Sequence, residues 1–382
     1  MSSRFKPIMV LLAVSGSPQA ADYAPGHGFT WRSDDKDFSI QLSARVDLDH
    51  LGSKDDVTDL SEGTDLRRER LTLSGRAFKH WRYYAEYDFS GSAPQAQGVW
   101  LAYTGWRHAR LTIGRNQMPF GMERISSSRN IHFLERALPT AFALSYQGGV
   151  NYRRWGDHWM WSTGAYNTQC CSGHVAADNA QVIASRVVRS FSFGKRNTLH
   201  LGAAGQWRNP RQQLRFRTRP ESSVAGRRLV DTRKLRRIDQ ALGAGLEAAW
   251  LSGPLAIQSE YMRFRVTRSA LSNAHFSGAY LSASWLLGGK HYRYQSSRGL
   301  IRGVRPKGDW GTLELNTRFS SIDLNDAPVL GGKERNWTVG LNWTPHPALR
   351  LMLNYTRANA HPNRNGLSDR PRLLQLRAQL FF

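Results

Sequence analysis

Apolar and polar residues alternate one by one along segment after segment of this 382-residue chain. Near its end, Leu374, Leu376, Ala378, Leu380 and Phe382 are interleaved with Gln375, Arg377, Gln379 and Phe381. Successive side chains of a strand point to opposite faces, so such a segment has one apolar face and one wet, partly cationic face. A soluble sandwich that buries its apolar face gives the same pattern. The number of recurrences, and an aromatic residue closing the final strand, point instead to a barrel with lipid outside and water inside.

The same alternation appears wherever such a barrel needs a wall. In Phe38 to Leu48, the residues Phe38, Ile40, Leu42, Ala44, Val46 and Leu48 share one face, with Arg45 and Asp47 on the other. Leu71 and Leu73 oppose Arg70, Thr72, Ser74 and Arg76; Tyr83, Ala85, Tyr87 and Phe89 oppose Tyr84, Glu86 and Asp88. Leu313, Leu315 and Phe319 oppose Thr312, Glu314, Asn316 and Arg318, and comparable runs follow at 336–343 and 349–356. Continued along the chain, the count predicts an all-β fold: a transmembrane antiparallel barrel of about sixteen strands, an even number as in bacterial single-chain barrels. Short connections at His80-Trp81, Gly105-Trp106, Gly194-Lys195 and Pro345-His346 alternate with long ones, the asymmetry expected of periplasmic turns and extracellular loops.

Composition narrows the alternatives. Mean hydropathy is negative, and no stretch approaches the ~18 apolar residues of a spanning helix. The net charge is +24, and only nine of the 53 basic residues are lysine. Arginine's planar fork suits bidentate contact with oxyanions better than an ammonium does. Such basicity alone would equally suit a nucleic-acid binder. Residues 1–20 read as an export signal, with Arg4 and Lys6 ahead of the apolar run Ile8 to Val14 and a small-residue exit at Ser17-Pro18-Gln19-Ala20. Export and an aromatic strand end do not suit a nucleic-acid binder. They place residues 21–382 in the outer membrane as one barrel domain, among lipid and lipopolysaccharide. Cys170 and Cys171 are adjacent and alone, which fits neither a disulfide framework nor a metal site; no cofactor is implied.

Three segments break the strand pattern. The first, Gly114 to Tyr146, is long for a loop, and it carries the apolar anchors Phe120, Ile125, Ile131, Phe133, Leu134 and Leu138. A loop so anchored can fold back into the barrel as a constriction. It would then present Arg124, Ser126, Ser127, Ser128, Arg129 and Arg136 to the lumen, where hydroxyls and guanidinium groups donate hydrogen bonds to oxyanions. The alternative is an external loop at a subunit interface. The second segment, Trp207 to Asp239, holds Arg208, Arg211, Arg215, Arg217, Arg219, Arg227, Arg228, Arg233, Lys234, Arg236 and Arg237. The third, Gly288 to Asp309, holds Lys290, Arg293, Arg298, Arg302, Arg305 and Lys307. These cations suit a pore mouth that concentrates anions, lipid phosphates at the outer leaflet, or a solvated rim.

Several passages in a shared order resemble the phosphate-selective porins of the porin O and P type, over nearly all of the chain after residue 20. They are Leu66-Arg67-Arg68-Glu69-Arg70-Leu71; Gly114-Arg115 with Pro119-Phe120-Gly121-Met122-Glu123; Ser127-Ser128-Arg129 with Phe133-Leu134-Glu135-Arg136; Arg217-Thr218-Arg219-Pro220-Glu221; and Ile322-Asp323-Leu324-Asn325-Asp326. The resemblance implies a trimer of sixteen-stranded barrels, each with an inward third loop and a ladder of arginines. Carried over by position, the anion-binding constriction falls on Arg124, Ser127, Ser128, Arg129 and Arg136, with Arg45 as a wall partner. The ladder falls on Arg67, Arg68, Arg217 and Arg219, with Arg215 and Arg228 as looser members. The implied function is passive uptake of inorganic phosphate or related small anions. Arginine stands at Arg124 and Arg129 where the family often has lysine, which leaves the preferred anion open. A non-selective diffusion porin shares the barrel. A hydrolase would need a nucleophile with its base, and His108, His132, His200 and His291 sit in no such motif.

Overall fold

A computed structural model describes residues 21–168, 180–194, 196–210, 213–288, 290–304, 306 and 308–382. The proposed leader, both cysteines, Lys195, Arg211, Arg305 and Lys307 lie outside the described residues. The rest forms one closed antiparallel barrel of sixteen strands: β1 (Ser39–Lys54), β2 (Gly63–Ala77), β3 (Trp81–Asp88), β4 (Gln95–Tyr103), β5 (Ala109–Gln117), β6 (Tyr146–Trp155), β7 (Trp159–Asn167), β8 (Ala180–Phe193), β9 (Asn197–Pro210), β10 (Ile238–Ser252), β11 (Leu255–Arg268), β12 (Ala274–Leu286), β13 (Thr312–Asp326), β14 (Val329–His346), β15 (Leu349–Ala360) and β16 (Arg372–Phe381). Each strand pairs with its sequence neighbour, and β16 closes on β1 from Phe381↔Arg45 to Arg372↔Lys54. Closure gives each of the sixteen strands a partner on both sides, which a lipid environment demands.

The burial pattern is the reverse of a soluble sandwich. Leu374, Leu376, Leu380, Trp337, Val339 and Leu341 are exposed on the outer face, whereas Gln375, Arg377, Gln379, Asn336 and Thr338 are buried on the inner one. Alternation therefore sorts lipid-facing from lumen-facing residues. Strands β3 to β7 have 8–10 residues, and β10 to β14 have 13–18. A tilted membrane strand needs about 9–11, so the longer strands stand above the apolar band.

Three connections enter the lumen. The segment expected at Gly114 to Tyr146 is shorter at both ends, because Gly114 to Gln117 complete β5 and Tyr146 opens β6. Residues 118–145 fold inward, as the apolar anchors require: Phe120, Phe133, Leu134 and Leu138 are all buried. Phe120, Leu138 and Phe142 pack with Phe216 of the connection 211–237 and with Phe264 and Phe276 of β11 and β12. The third segment departs from the expected short-turn pattern. Residues 287–311 leave from the end that carries the short turns, yet run back up into the barrel, where Tyr294–Gln295 pairs with Leu300–Ile301. Leu300, Ile301 and Tyr292 explain this, since they pack with Met122, Leu251 and Leu286 inside the wall. The three segments pack mainly against β8–β16 and leave open space against β1–β6.

Candidate functional site: an arginine-lined conduit

The wall holds the constriction loop through charges planted on inward strand positions. Gly121, at φ 80°, turns the chain into the short helix α1 (Met122–Ile125), and a Cβ there would lie 2.8 Å from the Met262 methyl. The Glu260 carboxylate of β11 accepts the Met122 and Glu123 N–H groups at 2.6 and 2.7 Å. Arg318 of β13 bridges Glu123 at 3.2 Å and Glu221 at 2.7 Å. Arg377 of β16 pairs with Asp49 at 2.6 Å and Glu135 at 2.8 Å. Arg350 of β15 donates to the Ile131 carbonyl at 3.0 Å and Asn342 of β14 to the His132 carbonyl at 2.7 Å. Buried ion pairs of this kind hold geometry, because losing one partner strands the other in a dry site.

Anchored in this way, the loop leaves cavities along β1–β6 and a further one toward β14–β16. A loop-end vestibule of about 600 Å³ is lined by Arg67, Arg124, Glu135, Arg136, Arg217, Arg219 and Arg228. It meets a narrower chamber of about 310 Å³ lined by Arg45, Arg68, Arg70, Arg124, Ser127, Ser128, Arg129, Arg136, Tyr84 and Glu86. Arg124 and Arg136 line both, so they stand at the junction. Beyond a collar of Tyr84, Gln117, Ser127 and Tyr146, a third space of about 280 Å³ receives Arg110, Arg153 and Arg298 and no carboxylate. A fourth, of about 450 Å³ at the turn end, is lined by Arg129, Arg293, Arg302 and Arg350.

The arginines divide into two kinds. Arg45 pairs with Asp47 at 2.6 Å and donates to Ser128 Oγ at 2.8 Å; Arg68 also reaches Asp47 at 2.8 Å. Arg70 is held between Glu86 and Asp88, and Arg67 pairs with Glu135 at 2.8 Å. These are braced wall charges. Among the described residues, Arg124, Arg129 and Arg136 have no ion pair. Arg136 donates to the Glu123 and Ser126 carbonyls at 2.9 and 2.7 Å. Arg129 lies over the Phe381 ring at 4.4 Å and donates to the Gly26 carbonyl at 3.2 Å. The Arg124 Nε is buried without a hydrogen-bond partner. Burial and the neighbouring Arg136 lower its pKa to about 9, which leaves it cationic at neutral pH. At the vestibule, burial together with Arg217 and Arg219 lowers Arg228 to about 10.

Every residue expected in the constriction (Arg45, Arg124, Ser127, Ser128, Arg129 and Arg136) lines the narrow chamber. Of the expected ladder, Arg67, Arg217, Arg219 and Arg228 line the vestibule. Arg68 lines the inner chamber instead. Arg215 lines none of the four cavities described; its Nε pairs with Asp231 at 2.7 Å. A register shift explains how the consecutive Arg67 and Arg68 both turn inward: Asp47 pairs with Arg68 and Leu48 with Leu66, which leaves Arg67 bulged between them. The sequence reading did not assign Arg70, Arg110, Arg153 or Arg298 to a site. Alternation could have found the first three, since Arg70 and Thr72, and Arg110 and Thr112, share inward faces with lining residues. Arg298 sits in an aperiodic segment, whose cations suit a pore mouth, lipid phosphates or a solvated rim equally well in sequence.

Comparison with known proteins follows the same direction. A family model for phosphate-selective porin O and P matches residues 38–382. The chain is 28% identical over 395 residues to an uncharacterized protein of Caulobacter vibrioides, covering 95% of this chain and 78% of that one. It is 23% identical over 383 residues to Porin O of Pseudomonas aeruginosa, covering 88% of this chain and 86% of that one. Among solved structures, an anion-selective porin from Comamonas acidovorans superposes with a TM-score of 0.58 at 12% identity, over 90% of this chain and 100% of that one.

Proposed function

Because the chain belongs to the phosphate-selective porin O and P family, a family of bacterial outer-membrane channels, we propose that it is an anion-selective porin for inorganic phosphate and related small oxyanions. Residues 1–20 act as the export signal in this reading, and residues 21–382 form the channel. The observation that carries it is the trio Arg124, Arg129 and Arg136, which meet the narrow chamber without a carboxylate partner. Paired arginines around them fix shape, whereas these three offer uncompensated charge to a passing ion.

The path is passive. Anions gather at the vestibule over Arg217, Arg219 and Arg228, where a wet duct between low-dielectric walls concentrates the positive field. They shed part of their hydration at Arg124 and Arg136, accept hydrogen bonds from the Ser127 and Ser128 hydroxyls, and move on to Arg110, Arg153 and Arg298. A charge-assisted hydrogen bond contributes about 1.5–3 kcal/mol net. Sites staggered along the duct therefore hold an ion firmly enough to enter and loosely enough to leave. The short strands β3–β7 carry exposed Trp81, Leu101, Ile113 and Trp161 outward. That face is the proposed contact in a homotrimer.

The direct test is Arg136→Ala in single-channel recording. It lowers chloride conductance and weakens the block of that current by phosphate about tenfold, the scale of one lost charge-assisted bond. Unchanged conductance and unchanged block would remove Arg136 from the path.

A further inference from the structure

The outer surface carries a feature unrelated to the conduit. Close to the loop end of four neighbouring strands, outward side chains become cationic: Arg335 on β14, Arg357 on β15, Arg372 on β16 and Lys54 on β1, all exposed. Register sets Arg357 directly opposite Arg372, and Arg372 directly opposite Lys54. Arg335 lies diagonally beside Arg357, whose own partner is Trp337. Like charges opposite one another destabilise a sheet. Among the described residues none of the four has a carboxylate partner, although eighteen ion pairs occur elsewhere. Two residues closer to the middle of the same outer face, Trp337, Tyr355 and Leu374 are exposed. Aromatic residues mark the membrane interface, so the cations sit at headgroup level.

We propose that Arg335, Arg357, Arg372 and Lys54 form a binding row for the phosphate groups of lipopolysaccharide, the phosphorylated glycolipid of the outer leaflet. Long loops face the cell exterior in bacterial barrels, which puts this row on that leaflet. Guanidinium forks bind phosphate bidentately, and an anion between Arg357 and Arg372 turns their repulsion into a bridge. The site rests on the outer-membrane barrel and is independent of which ion crosses it.

The test is thermal unfolding of the full barrel in detergent, titrated with lipopolysaccharide, with its dephosphorylated form, or with inorganic phosphate. Wild type gains stability with intact lipopolysaccharide, and the apparent affinity falls about tenfold or more in Arg357→Gln/Arg372→Gln. Lys54→Gln gives a smaller loss in the same direction. The dephosphorylated lipid protects wild type no better than the double variant. Without lipid, the double variant unfolds at the same temperature as wild type or higher, because two like charges have gone. Equal protection of wild type and double variant would overturn the proposal. So would a lower unfolding temperature of the double variant in detergent alone, which would make the row a structural element. Protection by inorganic phosphate that is lost in the variants would assign the row to a soluble anion and overturn the lipid source.

Discussion

Arg124 and Arg318 illustrate how the same side chain does opposite work around one loop. Arg318 is 1% exposed and bridges Glu123 and Glu221, so its charge is spent on the protein itself. Arg124 has a buried Nε with no partner and faces both the vestibule and the chamber. Arg318→Ala therefore leaves two carboxylates buried without their cation, and costs about 3–5 kcal/mol of stability. Thermal unfolding in detergent reads that loss directly; a change within ~0.5 kcal/mol, the scale of a neutral surface substitution, would contradict it. Arg124→Gln has the reverse profile, with stability held and anion conductance reduced. The acid–base behaviour has a fixed sign. Arg124, lowered to about 9, and Arg228, lowered to about 10, keep their protons between pH 5 and 8. Their charge, and the anion preference that depends on it, holds through that window and declines as pH rises through about 9. Reversal potentials across a pH series check this.

At the level of elements, the outcome depends on three segments that behave as inserts. The inward loop is held between Met122 and Glu135 by four wall side chains, Glu260, Arg318, Arg350 and Arg377. The segment 287–311 has its own clasp: Arg186 of β8 donates to the Arg298 and Gly299 carbonyls at 3.0 and 2.7 Å while paired with Glu247. Arg186→Ala releases Arg298 from the third cavity, so single-channel conductance rises and phosphate block weakens; a current trace matching wild type would show the segment to be held by its apolar contacts alone. The inward course of residues 118–145 was partly legible, because Phe120, Phe133, Leu134 and Leu138 need burial, and the lumen rather than a subunit interface supplies it. The inward course of 287–311 was not legible. Its arginines read equally well as a rim, and only the packing of Tyr292, Leu300 and Ile301 against the wall decides the matter. Alternation also states that a strand has two faces without saying which is inside. Along the loop half of β11, Met262, Phe264 and Val266 point inward and Arg263 and Arg265 outward, the reverse of β16, and Phe276 of β12 and Ile322 and Leu324 of β13 join them inside. The inserts cause this reversal, since they bring an apolar core into the lumen.

For the whole molecule, two surfaces of opposite character share each strand. The outer one is apolar over the membrane and cationic at one rim, and the inner one is mostly polar on its β1–β6 side. Barrel architecture and strand number were readable from periodicity, and residue order in the family passages pointed to residues that line the narrow chamber. The course of the ion path was not, because it is the space left over when three loops have packed, and that depends on contacts between residues far apart in sequence. The central claim is that this space is positive from end to end. Its most direct measurement is the reversal potential of the wild-type barrel in a planar bilayer across a potassium chloride gradient. A potential close to the chloride equilibrium value is predicted. A potential near zero, or on the potassium side, would contradict the account.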